Sequence, residues 1–452
     1  MPHTEPPAVS AGPDPAIGRL VLTPFHVAGF VLLAVGFVLS VHQGLQAFDA
    51  VGRAAWVRWS HIHVVTVGVF TQLLFGMLPQ LTARKLEIAP PPAWYWWSSF
   101  TALNGGFLAA WWGRASGTAW AYDLGLVVIW LTVLALLAML VSQAARADAG
   151  SRDTTVGLYL VAPAVFLIGL TFAFALYTDT FAFEVPGGWW GLREGHVHAN
   201  AWGFLGLAAM GTLYDLFPRL VQAPLHNQRS RRWSVWLLVA GIGPLAIGPV
   251  LGMGRSVTGT GLALFAGGYV LYLVNLVRTY RAGTRSGLAR MVLVAQIWIL
   301  GPAGFAPFIL FGVPLGIEER LIETGALHFF FVGWALPVAL AGLALWLRNL
   351  PRPAHADRIP VDASEPLPLG VVPGTVVATW MIWAWNLAVL VVGLGFFYPD
   401  HGWSAVALGG GFTVLTLLWG YLLVRIAEQR WRLVTALKRR PPLAINDSVD
   451  KG

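Results

Sequence analysis

The feature that most constrains the fold is a series of apolar segments, each about 20 residues or longer, that recur along almost the whole chain. Each is long enough to cross roughly 30 Å of hydrocarbon as an α-helix, at about 1.5 Å per residue. Of the 452 residues, 57% are hydrophobic and only 11% are charged, which is too apolar a balance for a soluble protein of this length. The alternating ten-residue segments of a membrane β-barrel are absent from the sequence. The sequence therefore predicts an all-α, polytopic membrane protein.

We predict twelve membrane helices and two terminal tails. The helices are expected at residues 21–46, 58–82, 93–113, 119–144, 155–177, 195–217, 233–253, 258–279, 289–313, 324–347, 371–397 and 403–426. Residues 1–20 are Pro-rich and lack the basic start of a cleaved signal peptide, so we expect a disordered cytoplasmic tail. Residues 427–452 are basic and are expected to form a second cytoplasmic tail. The membrane domain is thus predicted over residues 21–426.

The net charge of +8 is explained by membrane topology rather than by nucleic-acid binding. With the N-terminal tail inside the cell, 23 of the 29 Lys and Arg residues fall in tails and loops on the cytoplasmic side. The positive-inside rule therefore places both termini in the cytoplasm and requires an even number of spans. We expect a multi-pass protein of a bacterial-type inner membrane, in contact with lipid and not with nucleic acid.

A threefold internal repeat is anchored on histidines near the start of three long apolar helices. His63, His198 and His328 are separated by 135 and 130 residues, which is four helices each time. The positions around each anchor also match. Two residues before stand His61, His196 and Ala326, five after stand Gly68, Gly203 and Gly333, and thirteen after stand Gly76, Gly211 and Ala341. The repeats are expected at about 21–144, 155–279 and 289–426.

Five of these histidines predict a bound metal or heme, because imidazole is costly to place in hydrocarbon without a ligand. They are His61, His63, His196, His198 and His328, all in the outer third of the membrane. Residues i and i+2 of a helix are about 200° apart, so the two rings of a His-x-His pair face different neighbouring helices. Five rings can form two bis-histidine sites and leave one over, whose iron would stay open to oxygen or nitric oxide. We expect the small residues after each anchor to let a flat macrocycle lie against the helix.

Arginines and the lack of cysteine narrow the kind of ligand. Arg58 and Arg193 each lie three residues before a histidine pair, and Arg320 lies eight before His328. Such side chains suit heme propionates, and interfacial anchoring explains them equally well. The sequence has no cysteine, which excludes disulfides, thiolate–zinc sites, iron–sulfur clusters and a covalently attached c-type heme. We therefore expect one or two b-type hemes.

The stretch GHVHANAWGFLGLAAMGTLYDLFPRL, from Gly195, resembles the tenth helix of the catalytic subunit of heme–copper oxidases, most of all the cbb type. In that helix a His-x-His pair is followed by spaced glycines and then by Tyr and Pro. The matching positions here are Gly203, Gly206, Gly211, Tyr214 and Pro218. The resemblance implies twelve helices in three four-helix arcs. It also implies that His196 and His198 divide the low-spin and high-spin hemes between them.

The chain departs from that family in ways that bear on copper. The family's pair lies in the tenth helix, whereas here the match is in the sixth, and the predicted seventh helix carries no histidine for copper. We expect the copper site to be incomplete. The chain also resembles the NnrS-type membrane heme proteins linked to nitric oxide stress, through HIHVVTVG at His61.

The leading interpretation is a membrane b-type heme protein for electron transfer or for oxygen or nitric oxide redox chemistry. As an enzyme it would be an oxidoreductase of the heme–copper oxidase type, working with other redox subunits or an external electron donor. The alternative is a copper or zinc transporter or channel that uses the histidines as relay ligands. That function predicts acidic or Met-rich entry loops, but the seven methionines are dispersed. A third interpretation is an assembly subunit whose histidines only bond across helices.

Overall fold

The computed structural model describes residues 22–47, 55–147, 153–178, 183–348, 377–399 and 401–439. Within these ranges the chain is helical and contains no strand, which confirms the predicted all-α class. Eleven helices are long and apolar enough to cross a membrane, and Ala93–Ser116 is a twelfth of 24 residues. The expected tail at 1–20 lies outside the described residues. The expected tail at 427–452 begins as helix, because the last helix continues to Arg439.

The twelve helices follow the predicted spans closely. In chain order they are α1 (Pro24–Gln46), α2 (Trp59–Lys85), α3 (Ala93–Ser116), α4 (Ala119–Arg146), α5 (Thr154–Tyr177), α6 (Gly188–Val221), α7 (Gln228–Val250), α8 (Gly254–Ala282), α9 (Gly287–Phe311), α10 (Glu319–Ala344), α11 (Thr379–Phe397) and α12 (Gly402–Glu428). The helical structure of α10 continues to Arg348.

The helices form three arcs of four, α1–α4, α5–α8 and α9–α12. In each arc the first helix packs on the second, and the third and fourth pack on each other. The arcs close into a ring because α4 packs on α5 and α12 packs on α1, whereas α8 and α9 touch more sparsely. The second helices α2, α6 and α10 are the most buried and form the centre. The three predicted repeats cover the same helices as these arcs.

The third and fourth helices of an arc approach closely at glycines. In the first arc, a Cβ on Gly113 would meet the backbone nitrogen of Tyr122, and one on Gly125 would meet that of Ala110. In the second arc, a Cβ on Gly261 would likewise meet the backbone nitrogen of Leu245. Without a hydrophobic force between helices in lipid, such backbone contacts supply the packing that holds the pair together.

Each central helix contains a π-helical segment next to its histidines. The segments are Val64–Thr71 in α2, His198–Gly206 in α6 and Phe329–Ala335 in α10. A π-helix bonds residue i to i+5, is rare, and is frequently found at functional sites. A fourth such segment, Gly254–Thr258, begins α8 and has no histidine. The three others recur at equivalent places, next to the histidines of the central helices.

The glycines five residues after each anchor have a different role from the one expected. A Cβ on Gly68 would lie 3.2 Å from Leu32 of α1, and Cβ atoms on Gly203 and Gly333 would collide with Val165 of α5 and Trp298 of α9. The space beside these glycines is filled by the first helix of the same arc. They therefore permit helix packing, and the predicted contact with a macrocycle at these positions is wrong.

Candidate functional site

The histidines of α2 and α10 meet across the centre of the bundle. The Nε2 atoms of His61 and His328 are 3.4 Å apart, and their ring planes are tilted by only 12°. Both side chains are buried, with 5% and 8% of their surface exposed. Phe396 stacks on the His328 ring at 4.0 Å, and Phe412 packs edge-on against both rings. Two imidazoles from separate arcs are thus held ring to ring in an apolar environment.

The hydrogen bonds around this pair fix which nitrogen of each ring carries the proton. Ser40 of α1 donates its hydroxyl to the Gly36 carbonyl at 2.8 Å, so its oxygen accepts from His61 Nδ1 at 3.2 Å. His328 Nδ1 donates to the Thr324 carbonyl at 2.7 Å. In the neutral rings both Nε2 atoms therefore present lone pairs to each other. Two facing lone pairs repel unless a proton or a metal ion lies between them, and Nδ1–H bonded to an acceptor is the usual form of a metal-ligating histidine.

A cavity of about 90 Å³ adjoins the His61–His328 pair. Its walls are mainly apolar residues of α1, α2, α10 and α12, and Arg193 of α6 contributes the one cationic side chain among the lining residues. A macrocycle is larger than this cavity, so its binding requires the wall side chains to move apart. A metal bound to both rings needs Nε2 atoms about 4 Å apart, a small widening from the observed distance.

The three arginines predicted from the sequence differ in where the structure places them. Arg193, which lines the cavity beside His61 and His328, forms ion pairs with Glu194 and Glu323. Arg320 pairs with Glu318 on the surface, with 54% of its side chain exposed, and is not among the lining residues. The side chain of Arg58 lies outside the described part of the structure. Of the two predicted arginines whose side chains the structure describes, Arg193 is the one that lies beside the histidines.

The other histidine of each His-x-His pair described so far is held by a hydrogen bond within its own arc. His63 Nδ1 donates to the Trp59 carbonyl at 2.8 Å, and the Trp59 ring stacks on the imidazole at 4.1 Å. His196 Nδ1 donates to the Gly169 carbonyl of α5 at 2.9 Å. His63 lies near enough to His196 and Arg114 to interact electrostatically with both. Each His-x-His pair thus faces two neighbours, as the helix geometry predicts.

His198 faces a cavity of about 390 Å³ between α6 and α10, on the sparsely packed side of the ring. The backbone of Leu245 packs beside the ring, but His198 Nδ1 is buried without a hydrogen-bond partner of normal geometry among the described residues. Ala326 lines the cavity at the position where α10 lacks a second histidine. Val270 and Leu300 line it too and are 53% and 43% exposed, so the cavity reaches the outer surface of the bundle. His198 is the ring left over when the other four pair.

Three carboxylates also line the His198 cavity, and the sequence reasoning missed them. They are Glu194, Glu319 and Glu323. Even so, no group of three or more His, Asp or Glu residues is placed to hold a metal ion in the described part of the chain. The histidines come as pairs, each needing further donors from elsewhere if it is to bind a metal.

A cluster of charged residues at the opposite end of the bundle was also missed. Lys85 of α2 binds Asp153 and Asp215, each at 2.7 Å, and Arg231 of α7 binds Asp153 at 3.2 Å. Tyr159 of α5 donates to Asp215 at 3.1 Å. Burial raises the pKa of Asp153, but hydrogen bonds from Lys85 and the Thr155 amide, with the charges of Lys85 and Arg231, outweigh it and lower that pKa to about 2. The cluster ties the first arc to the second.

Comparison with known proteins identifies the fold. No family model matches the chain, and no curated protein matches it significantly. Among solved structures, the chain is similar to a chain from the cryo-EM structure of a heme–copper terminal oxidase dimer, with a TM-score of 0.68 and 12% sequence identity. The likeness covers 90% of this chain and 83% of that chain. The protein is therefore a multi-pass membrane protein with a heme–copper oxidase-like fold.

Proposed function

We propose that the chain is a membrane b-type heme protein in which His61 and His328 would hold the heme iron. The observation that carries the proposal is the pair of Nε2 atoms 3.4 Å apart, each on a ring whose Nδ1–H is already bonded. The pairwise arrangement also supports heme rather than a bare metal ion, since a porphyrin supplies four donors and asks for two from the protein. The likeness in fold to a heme–copper terminal oxidase agrees with this proposal.

The residues around the pair would serve electron transfer. A bound heme supplies a one-electron couple between ferric and ferrous iron. Ser40 and the Thr324 carbonyl hold the two rings in place and keep their Nε2 lone pairs directed inward. Phe396 and Phe412 exclude water, and Arg193 offers a cation for a propionate. A heme held by both imidazoles would serve electron transfer and would not bind a gas.

We propose that oxygen or nitric oxide enters the bundle through the His198 cavity. It has one imidazole with no partner ring, apolar walls and an opening toward lipid, where small apolar gases can enter. The proposal includes no copper ion, because α7 carries no histidine that could bind one. An enzymatic role would make the protein an oxidoreductase that receives electrons from another subunit or donor. We place the histidine end at the outer face of an inner membrane and both termini in the cytoplasm.

The transporter alternative is less well supported by the geometry. A relay for zinc needs a succession of sites with three or more protein donors. The described residues hold no such group, and Glu323 and Glu194, which line the His198 cavity, are joined by Arg193.

The proposal is tested by heme content and spectra of purified variants. We expect His61→Ala and His328→Ala each to remove the same low-spin heme component, because either change deletes one of the two histidines that would hold the heme. His226→Ala, in an exposed loop beside Arg278, is the matched control and should retain it. His328→Met guards against misfolding, since a thioether can still ligate iron and should shift the bands rather than abolish them. Retention of the wild-type spectrum in both alanine variants would rule out this ligand pair.

A further inference from the structure

The His198 cavity is larger than a diatomic gas requires. Its volume is about 390 Å³, whereas a molecule of the size of water occupies about 30 Å³ in the liquid. Cavities of roughly 300–1,000 Å³ are the size that proteins use for small organic ligands. The cavity reaches the outer surface of the bundle at Val270 of α8 and Leu300 of α9, which are both exposed. Its size and its opening therefore suit an organic molecule that arrives from the lipid.

The outer end of this cavity is polar and rich in hydrogen-bond acceptors. Glu194, Glu319 and Glu323 lie there, together with the His198 imidazole. Glu194 and Glu323 share Arg193 as their ion-pair partner, and Glu319 has no ion pair among the described residues. Because the carboxylates outnumber the arginine, this end repels an anionic head group and accepts hydrogen bonds from a hydroxyl group.

The helix that covers the cavity on its lipid side, α9, is broken at Gln296. It consists of the helical segments Gly287–Ala295 and Ile297–Phe311, with Gln296 between them. The Tyr269 hydroxyl of α8 donates to the Gln296 carbonyl at 2.7 Å, and Trp334 Nε1 of α10 donates to Gln296 Oε1 at 2.9 Å. Hydrogen bonds from two neighbouring helices therefore fix the position of the break.

Beyond the break, α9 is held loosely. Most of Gly287–Ala295 is buried, whereas Ile297–Phe311 has only two buried residues. Pro302 and Pro307 each lack the N–H that would bond to the preceding turn, and prolines inside a helix weaken or kink it. The cavity wall on this side comes from residues 302–311, namely Pro302, Ala303, Phe305, Ala306, Ile309 and Leu310. These residues form a weakly held cover over the cavity.

The end of this cover rests on the start of α8 at a glycine. A Cβ on Gly259 would lie 3.2 Å from Leu310 Cδ2. On the other side of the cover, the Phe305 ring packs edge-on against Phe397 of α11, with ring centroids 5.5 Å apart. A displacement of residues 302–311 away from α8 would therefore widen the opening of the cavity toward the lipid.

We propose that the His198 cavity binds a neutral amphiphile whose aromatic head donates hydrogen bonds, and that residues 302–311 act as a gate through which it enters from the lipid. The head group would donate to the carboxylates at the outer end, and the aromatic side chains of Trp202, Phe265 and Phe305 in the wall suit a flat ring. The inference goes beyond the proposed function and does not depend on a bound heme.

The gate is tested by labelling a cysteine inside the cavity, since the natural chain has none. Ala326 lines the cavity, and Ala326→Cys should react with N-phenylmaleimide added to membranes. Adding Gly259→Cys and Leu310→Cys should allow a disulfide that ties α9 to α8, because the two side chains are within reach. Oxidation should remove most of the labelling at position 326, and reduction followed by removal of the reductant should restore it. Mass spectrometry confirms which cysteines are joined.

The matched control places the disulfide inside one arc. A Cβ on Gly267 of α8 would lie 3.9 Å from Leu237 Cδ1 of α7, so Gly267→Cys and Leu237→Cys can be joined in the same way. Oxidation of this control should leave the labelling at position 326 unchanged. Undiminished labelling in the oxidised Gly259→Cys/Leu310→Cys protein, or no labelling of Ala326→Cys in any state, would overturn the gate.

The class of ligand is tested with two probes of similar shape and different charge. In Ala326→Cys membranes, 4-hexylphenol should protect the cysteine from N-phenylmaleimide, because its hydroxyl can donate to a carboxylate of the cavity. The anion 4-hexylbenzoate should not protect it, because its charge is repelled by the same carboxylates. Any other pattern would overturn the proposed class of ligand. Neither labelling experiment uses heme, so a protein without heme would contradict the proposed function and leave this inference standing.

Discussion

The proposed function depends mainly on which nitrogen carries the proton in the paired histidine rings. Residue type and spacing predicted that rings two apart on a helix would face different neighbours. They could not tell which rings meet, because that depends on the order of the arcs around the axis. The sequence also gave no signal for Ser40, whose importance comes from its hydrogen bonds to Gly36 and His61 across two helices. The family resemblance directed attention to His196 and His198, whereas the closest pair joins α2 to α10.

Ser40→Ala should weaken heme binding at the His61–His328 pair. The change removes the acceptor that fixes the His61 ring, and loss of such an outer partner typically costs about 10–100-fold in metal affinity. Heme release to apomyoglobin measures the effect. Thr66→Ala is the control, because that hydroxyl bonds only to its own helix at the Ile62 carbonyl. Equal release rates in Ser40→Ala and wild type would show that Ser40 does not orient the ligand.

The central helices show where sequence patterns succeed and where they fail. Apolar length located all twelve spans, because hydrocarbon thickness dictates helix length whatever the tertiary fold. The π-helical segments of α2, α6 and α10 were not foreseen, since they arise from packing and carry no residue signature of their own. The glycine repeat was found, but its purpose was misassigned until the first helix of each arc was in place. The division into three repeats stays our proposal, now supported by these recurring segments.

Gly203→Ala should destabilise the packing of α6 on α5. The added Cβ would collide with Val165, and overpacking of this kind costs about 1–3 kcal/mol. Thermal unfolding in detergent should show a lower midpoint than wild type. Gly105→Ala in α3 is the control, because no atom lies within 4 Å of its Cβ position. A midpoint unchanged by Gly203→Ala would mean that α5 and α6 do not pack closely there.

The two ends of the helix bundle are stabilised by different kinds of interaction. Histidines and apolar rings occupy one end, and the Lys85–Asp153–Asp215–Arg231 cluster joins two arcs at the other. The bias of basic residues predicted which end this would be, but not that partly buried carboxylates would balance their charge. Those pairings join residues more than 60 positions apart, so no local pattern reveals them.

Asp153 should make stability depend on pH in the acid range. Its pKa is lowered from an ordinary 3.8 to about 2 in the folded protein, so its contribution is full above about pH 4 and is lost as pH falls toward 2. Asp153→Asn keeps an N-cap for α5 but removes the charge, and should cost about 1–2 kcal/mol at neutral pH after allowance for solvent screening. Denaturant unfolding at pH 7 and pH 2.5 measures this. A difference between variant and wild type that is equally large at both pH values would contradict the assignment.

The proposed orientation can be tested directly because the natural chain has no cysteine. Two exposed positions suit single-cysteine variants. Gln228 lies at the end of the bundle that has the charged cluster, and Ala115 lies at the end that has the histidines. In intact cells a membrane-impermeant maleimide should label Ala115→Cys and not Gln228→Cys, and in inverted vesicles the reverse. The opposite pattern would place the histidines on the cytoplasmic side.

A dithionite-reduced minus oxidised spectrum of the purified wild-type protein, with iron measured on the same sample, shows whether histidines of this bundle hold a heme. We expect the Soret and α bands of a low-spin b-type heme and iron bound to every chain. A sample of folded protein without these bands and without iron would contradict it.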